Sequence, residues 1–67
     1  MSVLDFTEIS TSALPQAVMD AFTADFPSAT LNKAYVNEEG QYKLEITNED
    51  GSTAALYADA EGKWLEM

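Results

Sequence analysis

Apolar residues recur in two distinct rhythms along the chain. Between residues 13 and 26 they fall at Leu14, Ala17, Val18, Ala21 and Phe22. That i, i+3, i+4, i+7, i+8 spacing places them on one stripe of a helix. Phe26 extends the stripe, and Gln16, Asp20 and Thr23 lie opposite. Ser10, Thr11 and Ser12 offer N-caps before it, and Pro15 suits the first turn. Pro27 cannot continue the helix and biases Phe26 away from helical geometry. The spacing therefore predicts a helix over 13–26. Asp25 falls near the stripe's centre, and a carboxylate is unfavourable at a helix C-terminus, so the last turn is expected to fray with Asp25 in solvent. Residues 1–12 mix Val3, Leu4, Phe6 and Ile9 with polar neighbours and read equally as an extra strand or an extended arm.

After residue 30 the rhythm changes. Three similar turns recur, Glu38-Glu39-Gly40, Glu49-Asp50-Gly51 and Ala60-Glu61-Gly62, with their glycines 11 residues apart. Three-residue hairpin loops commonly place glycine third, in the left-handed conformation. The spacing predicts four strands near 30–37, 41–48, 52–59 and 63–67, joined by equal hairpins. The loop type also fixes the register: Asn37 faces Gln41, Asn48 faces Ser52, and Asp59 faces Lys63.

Alternation of side chains extends these pairs into rows. One face collects Val36, Tyr42, Ala58 and Trp64, then Ala34, Leu44, Leu56 and Glu66, then Asn32, Ile46 and Ala54. It is the natural seat for the helix, with Val18, Phe22, Leu44, Leu56 and Trp64 expected in the core. The opposite face collects Tyr35, Lys43, Tyr57 and Leu65, then Lys33, Glu45, Ala55 and Met67, then Leu31, Thr47 and Thr53. Lys33 facing Glu45 and Asp59 facing Lys63 are favourable cross-strand pairs, each worth about 0.2–1 kcal/mol at most. The fold class is α+β: one N-terminal amphipathic helix packed on a four-stranded antiparallel β-meander, in a single domain over residues 1–67.

Composition narrows the chemistry. A 67-residue chain has a small core and usually needs a staple. It has no Cys and no His, which removes disulfides, thiol nucleophiles, imidazole catalysis and the usual zinc sites. Good packing or self-association remains. Carboxylate pairs can serve glycoside hydrolysis, but Glu38-Glu39 and Glu49-Asp50 sit at tight turn tips. No enzyme activity and no cofactor are expected. The acidic turns also fail the calcium-loop pattern. Its first ligand position would be Tyr35, Ile46 or Tyr57, so no metal site is expected.

The formal net charge is −9, with no Arg and three Lys. That balance opposes binding to nucleic-acid backbones and anionic membranes and suits a basic partner. Tyr35 and Tyr57 flanking Lys43 form a faint base-stacking platform, but the electrostatic attraction for nucleic acid is missing. No apolar stretch approaches the roughly 20 residues of a membrane span. No basic segment followed by an apolar run opens the sequence, so no signal peptide is expected.

The order of short motifs resembles a known family. Leu14-Pro15-Gln16-Ala17-Val18, Ala21-Phe22 and Phe26-Pro27-Ser28-Ala29-Thr30 look like the helix of PepSY-like domains. Gly40-Gln41-Tyr42-Lys43-Leu44, Asp50-Gly51 and Tyr57-Ala58-Asp59-Ala60-Glu61-Gly62-Lys63-Trp64 look like that family's hairpins. The family is similar in fold to the β-lactamase-inhibitor protein repeat, a helix on an antiparallel sheet. The resemblance implies a bacterial, non-catalytic binding module in a periplasmic or secreted setting. Relatives often carry two units where this chain has one, so a second copy is an alternative partner. The candidate interface is the row Tyr35, Lys43, Tyr57 and Leu65. It is expected either to bind another protein or to form a homodimer, unless the N-terminal arm covers it through Leu4 and Phe6.

Overall fold

The computed structural model describes residues 5–66. Strand β1, Thr7–Ile9, comes first, followed by a 3₁₀ turn over Thr11–Ala13 and helix α1, Gln16–Asp25. Three strands then follow: β2, Thr30–Val36; β3, Tyr42–Thr47; and β4, Thr53–Ala58. The four strands form one antiparallel sheet in the order β1-β2-β3-β4, so the α+β class holds. Two details of the expected meander differ. The fourth strand is Thr7–Ile9, which pairs with the outer edge of β2 through Glu8 opposite Tyr35 and Ile9 opposite Ala34. Residues 63–66 form no strand and make one bridge, Trp64 opposite Ala58. Met67 and the arm residue Leu4 lie outside the described residues.

Helix α1 starts later than its apolar stripe. Pro15 disfavours helical geometry in the residue before it, and Leu14 is extended at φ −68°, ψ 145°. Ser10 caps the 3₁₀ turn instead, its Oγ accepting the Ser12 N–H at 3.2 Å. Pro15 then stands at the N-cap of α1, its carbonyl accepting the N–H groups of Val18 and Met19. The helix does not fray at its far end. The Phe26 N–H donates to the Phe22 carbonyl at 2.8 Å before Pro27 ends the run.

The helix seats Leu14, Val18 and Phe22 against Ala34, Leu44, Ile46 and Ala58. Within α1 only Val18 and Phe22 are buried, with the extended Leu14 joining them from before the helix, so the stripe is narrower than expected. Ala17 is exposed, and Met19 packs on the core in its place. Leu56 and Trp64 are half-buried at the core's margin rather than within it.

The pairings derived from the loops hold along most of the sheet. Val36, Tyr42, Ala58 and Trp64 form one row, and Ala34, Leu44 and Leu56 the next. The register breaks between Leu31 and Lys33, where an irregularity sets Leu31 opposite Ile46 and Thr30 opposite Thr47. Strict alternation would have put the amide of Asn32 under the helix and Leu31 in solvent. The extra residue reverses both: Leu31 packs on the core, and Asn32 is exposed, its Nδ2 donating to Thr47 Oγ1 at 2.6 Å.

The three loops share one construction. Each closes with an N–H to C=O bond, Asn37 to Gln41 at 3.0 Å, Asn48 to Ser52 at 2.7 Å and Asp59 to Lys63 at 2.9 Å. Each glycine N–H returns to the carbonyl three residues back. Gly40, Gly51 and Gly62 have φ of 77°, 90° and 86°, as three-residue loops require. Side chains reinforce two of the loops in the same way. Asn37 Oδ1 accepts the N–H groups of Glu39 and Gln41, and Asp59 Oδ1 accepts those of Glu61 and Lys63. In the middle loop Asp50 takes this part, accepting both the N–H and the hydroxyl of Ser52. The Ser52 hydroxyl, then its N–H, holds the Asp50 carboxyl below its ordinary pKa.

Asn37 is the one polar residue buried among the described residues. Its Nδ2 also donates to Gln41 Oε1 at 2.7 Å. Asn37→Ala should cost about 1–3 kcal/mol, because it strips two backbone donors of their acceptor. Asn48→Ala, which loses one exposed bond to Ser52 Oγ, should cost less. Parallel urea melts of the two variants check the order.

Candidate functional site: the open face of the sheet

Helix α1 covers one face of the sheet and leaves the other open. The register brings Tyr35, Lys43 and Tyr57 into one row across β2, β3 and β4 on that open face. Leu65 joins the row through its N–H, which donates to the Tyr57 carbonyl at 2.7 Å. All four residues are half-buried. Lys33, Glu45 and Ala55 form the adjoining row. Leu31, expected on this face, has moved to the other through the irregularity at Asn32.

The row is internally ordered. Lys43 Nζ stands 5.3 Å from the centroid of the Tyr35 ring, a cation–π contact worth about 0.5–1 kcal/mol at an exposed site. Desolvation, followed by the carboxylates of Glu45 and Glu8, raises the Tyr35 phenol pKa. Tyr35 is therefore neutral at physiological pH, presenting an aromatic body and a polar tip. Such a residue suits a surface that is wet when free and dry when bound.

Phe6 reaches the far side of the same row. Its ring lies 5.9 Å from that of Tyr57, tilted by 56°. The arm thus lays one aromatic residue on the face. Glu8 borders it from β1, opposite Tyr35. Phe6 was legible as an apolar residue in the arm, whereas Glu8 depends on a pairing that no local pattern specifies.

Asp25 has a structural partner that sequence reasoning missed. Its carboxylate accepts the indole Nε1–H of Trp64. The Trp64 ring meets Phe26 edge-on at 5.6 Å, and Phe26 stacks on Phe22 at 6.2 Å. Asp25 is exposed, as expected, but its place in line with the apolar stripe aims it at the segment after β4. That alignment was the available signal.

Among the described residues, every buried side-chain polar atom has a hydrogen-bond partner. Among the same residues, no group of three or more acidic side chains is placed to hold a metal ion, and no helix is long and apolar enough to cross a membrane. No family model, no curated protein and no solved structure matches the chain.

Proposed function

We propose that this chain is a non-catalytic binding module of the PepSY-like kind, which engages a protein partner through the open face of its sheet. The observation that supports this reading is the row Tyr35, Lys43, Tyr57 and Leu65, uncovered by α1. Two tyrosines and a leucine give the row an apolar body, with Phe6 adding to it. Tyrosine is enriched among residues that dominate binding energy, and contiguous apolar surface marks contact sites. A charge of −9 favours a partner of opposite sign.

The test is the double variant Tyr35→Ser with Tyr57→Ser. Partner capture from an extract of the source organism should be lost while the far-ultraviolet circular dichroism stays that of the parent. Sedimentation velocity over a range of concentrations detects the alternative occupant, a second copy on the same face. If the folded double variant keeps both capture and any self-association of the parent, the open face is not the binding surface. If it unfolds, the row belongs to the core.

A further inference from the structure

The two edges of the sheet are unlike. At one edge β1 has only three residues and carries Glu8. At the other, β4 runs over Thr53–Ala58 without a charge, a proline or a register shift. Short strands, charges, prolines and bulges are the devices that protect natural edges, and β4 has none of them. Among the described residues, the segment after it covers only its end: Trp64 is bridged to Ala58, and the Tyr57 carbonyl takes the Leu65 N–H. Thr53, Ala54 and Ala55 are all exposed.

The loop geometry fixes which groups face outward. Asn48 and Ser52 form a hydrogen-bonded pair, so alternate residues Ala54 and Leu56 turn their backbone groups toward β3. Thr53, Ala55 and Tyr57 turn theirs out, and the bond from Leu65 to Tyr57 confirms the phase. Among the described residues, Thr53 and Ala55 have no backbone partner on that side.

The side chains say what would fit there. The row Lys33, Glu45, Ala55 continues outward to the place an added strand would occupy. Ala55 has only a methyl group, and a shallow concavity lies over it, lined in part by Asn32, Glu45, Thr53 and Ala55. An added strand would lie two strand spacings, roughly 9–10 Å, from β3. A long cationic side chain opposite Ala55 can cross its methyl and reach toward the Glu45 carboxylate. Lys43, which also borders the concavity, is directed to the Tyr35 ring. Acidic turns flank both ends of β4, Glu49 and Asp50 before it and Asp59 and Glu61 after it.

We propose that the free edge of β4, at Thr53 and Ala55, takes up by strand addition an extended segment of a partner protein that carries Lys or Arg opposite Ala55. This inference rests on the protein-binding reading and gives it a second contact element and a partner chemistry. A second copy fits less well. Antiparallel pairing of β4 with itself sets Glu49 and Asp50 of one copy beside Asp59 and Glu61 of the other. It also brings the row no cation beyond Lys33, which already faces Glu45 from β2, because residues 52–58 contain none.

The probe is a blocked peptide of alternating Lys and Val, added to the isotope-labelled full chain. At saturation the amide protons of Thr53 and Ala55 should slow in hydrogen exchange by about tenfold or more. A peptide with Glu in place of Lys should not bind over the same range, nor should the Lys peptide N-methylated at alternate backbone positions. Glu45→Gln should weaken binding about two- to fivefold, the size of one exposed ion pair. Ala55→Pro should abolish it, because proline is tolerated at an outward-facing edge position but blocks pairing there.

Unchanged exchange at Thr53 and Ala55 under saturating peptide overturns the proposal. So does binding of the N-methylated peptide, which leaves the protein unaltered and so reads the edge even if Ala55→Pro misfolds. Protection that rises with protein concentration alone assigns the edge to a second copy and overturns the basic segment. Capture that survives Tyr35→Ser with Tyr57→Ser supports the edge independently of the open face. In the same folded variant the Lys peptide should still slow exchange at Thr53 and Ala55, whether or not capture is lost, and disappearance of that protection overturns the edge as a contact of its own.

Discussion

Leu44→Ala should destabilise the protein by about 2–5 kcal/mol, the range for deleting a fully buried leucine side chain. Leu44 has no solvent exposure. It sits on the central strand β3 between Ala34 and Leu56 and belongs to the cluster formed with Leu14, Val18 and Phe22 of the overlying segment. Its neighbours cannot easily collapse into the space it leaves. Ala34 and Ala58 are already small, and Ile46 is fixed on the same strand. The cost therefore includes a cavity as well as lost transfer energy. A domain of this size has roughly 3–10 kcal/mol of stability in total, so the variant is expected to be largely or wholly unfolded at 37 °C. Phe22→Ala should fall in the same class. Leu56→Ala should cost clearly less, because Leu56 lies half-buried on edge strand β4. Urea melts followed by circular dichroism give all three values. Parental midpoints for both Leu44→Ala and Phe22→Ala would mean that the helix does not seat on this face.

Leu44 and Leu56 also mark the limit of what the chain's pattern discloses. Alternation places both under the helix, and both do face it. Only the strand order separates them, because burial depends on having a covered strand on each side. The same holds for Trp64. Its row was legible, but its half-exposed setting follows from the chain making a single bridge there instead of a strand.

The pairing of Thr7–Ile9 with β2 was not legible, since a three-residue strand carries too little periodicity to distinguish it from an arm. The irregularity at Asn32 left a trace. A polar residue at an inward position beside an apolar residue at an outward one is a local conflict that one extra residue resolves. The hairpin loops were legible because their determinants are local: a glycine at a fixed phase and a closing pair on either side. The Tyr35, Lys43 and Tyr57 row followed from those loops, since a register set at the turns propagates along every strand. The order within the row was beyond the pattern. The lean of Lys43 toward Tyr35 and the reach of Phe6 to Tyr57 are choices made by long side chains in three dimensions.

Gly62→Ala should destabilise far more than Gly40→Ala or Gly51→Ala, although the three glycines occupy equivalent loop positions. All three have positive φ, so each substitution places a Cβ in the left-handed region at a cost of about 1–2 kcal/mol. At Gly40 and Gly51 the added methyl points into open space. At Gly62 it would stand 2.5 Å from the carbonyl oxygen of Ala17 and 2.9 Å from its carbonyl carbon. Those atoms belong to the backbone of α1, which cannot rotate aside as a side chain does. Either the last loop or the helix must shift. Overpacking of that kind adds about 1–3 kcal/mol. The shift would also strain the clasp two residues on, where the Trp64 indole donates to Asp25 and packs on Phe26. Gly62→Ala should therefore change Trp64 fluorescence in the native state, while the other two variants leave it unchanged. Parallel urea melts give the stability order. Adding Ala17→Gly should not restore the loss, because the Ala17 Cβ is 3.5 Å away and the contact is with the carbonyl group. Equal losses at all three glycines, or recovery in the double variant, would show that the last loop does not rest on the helix backbone.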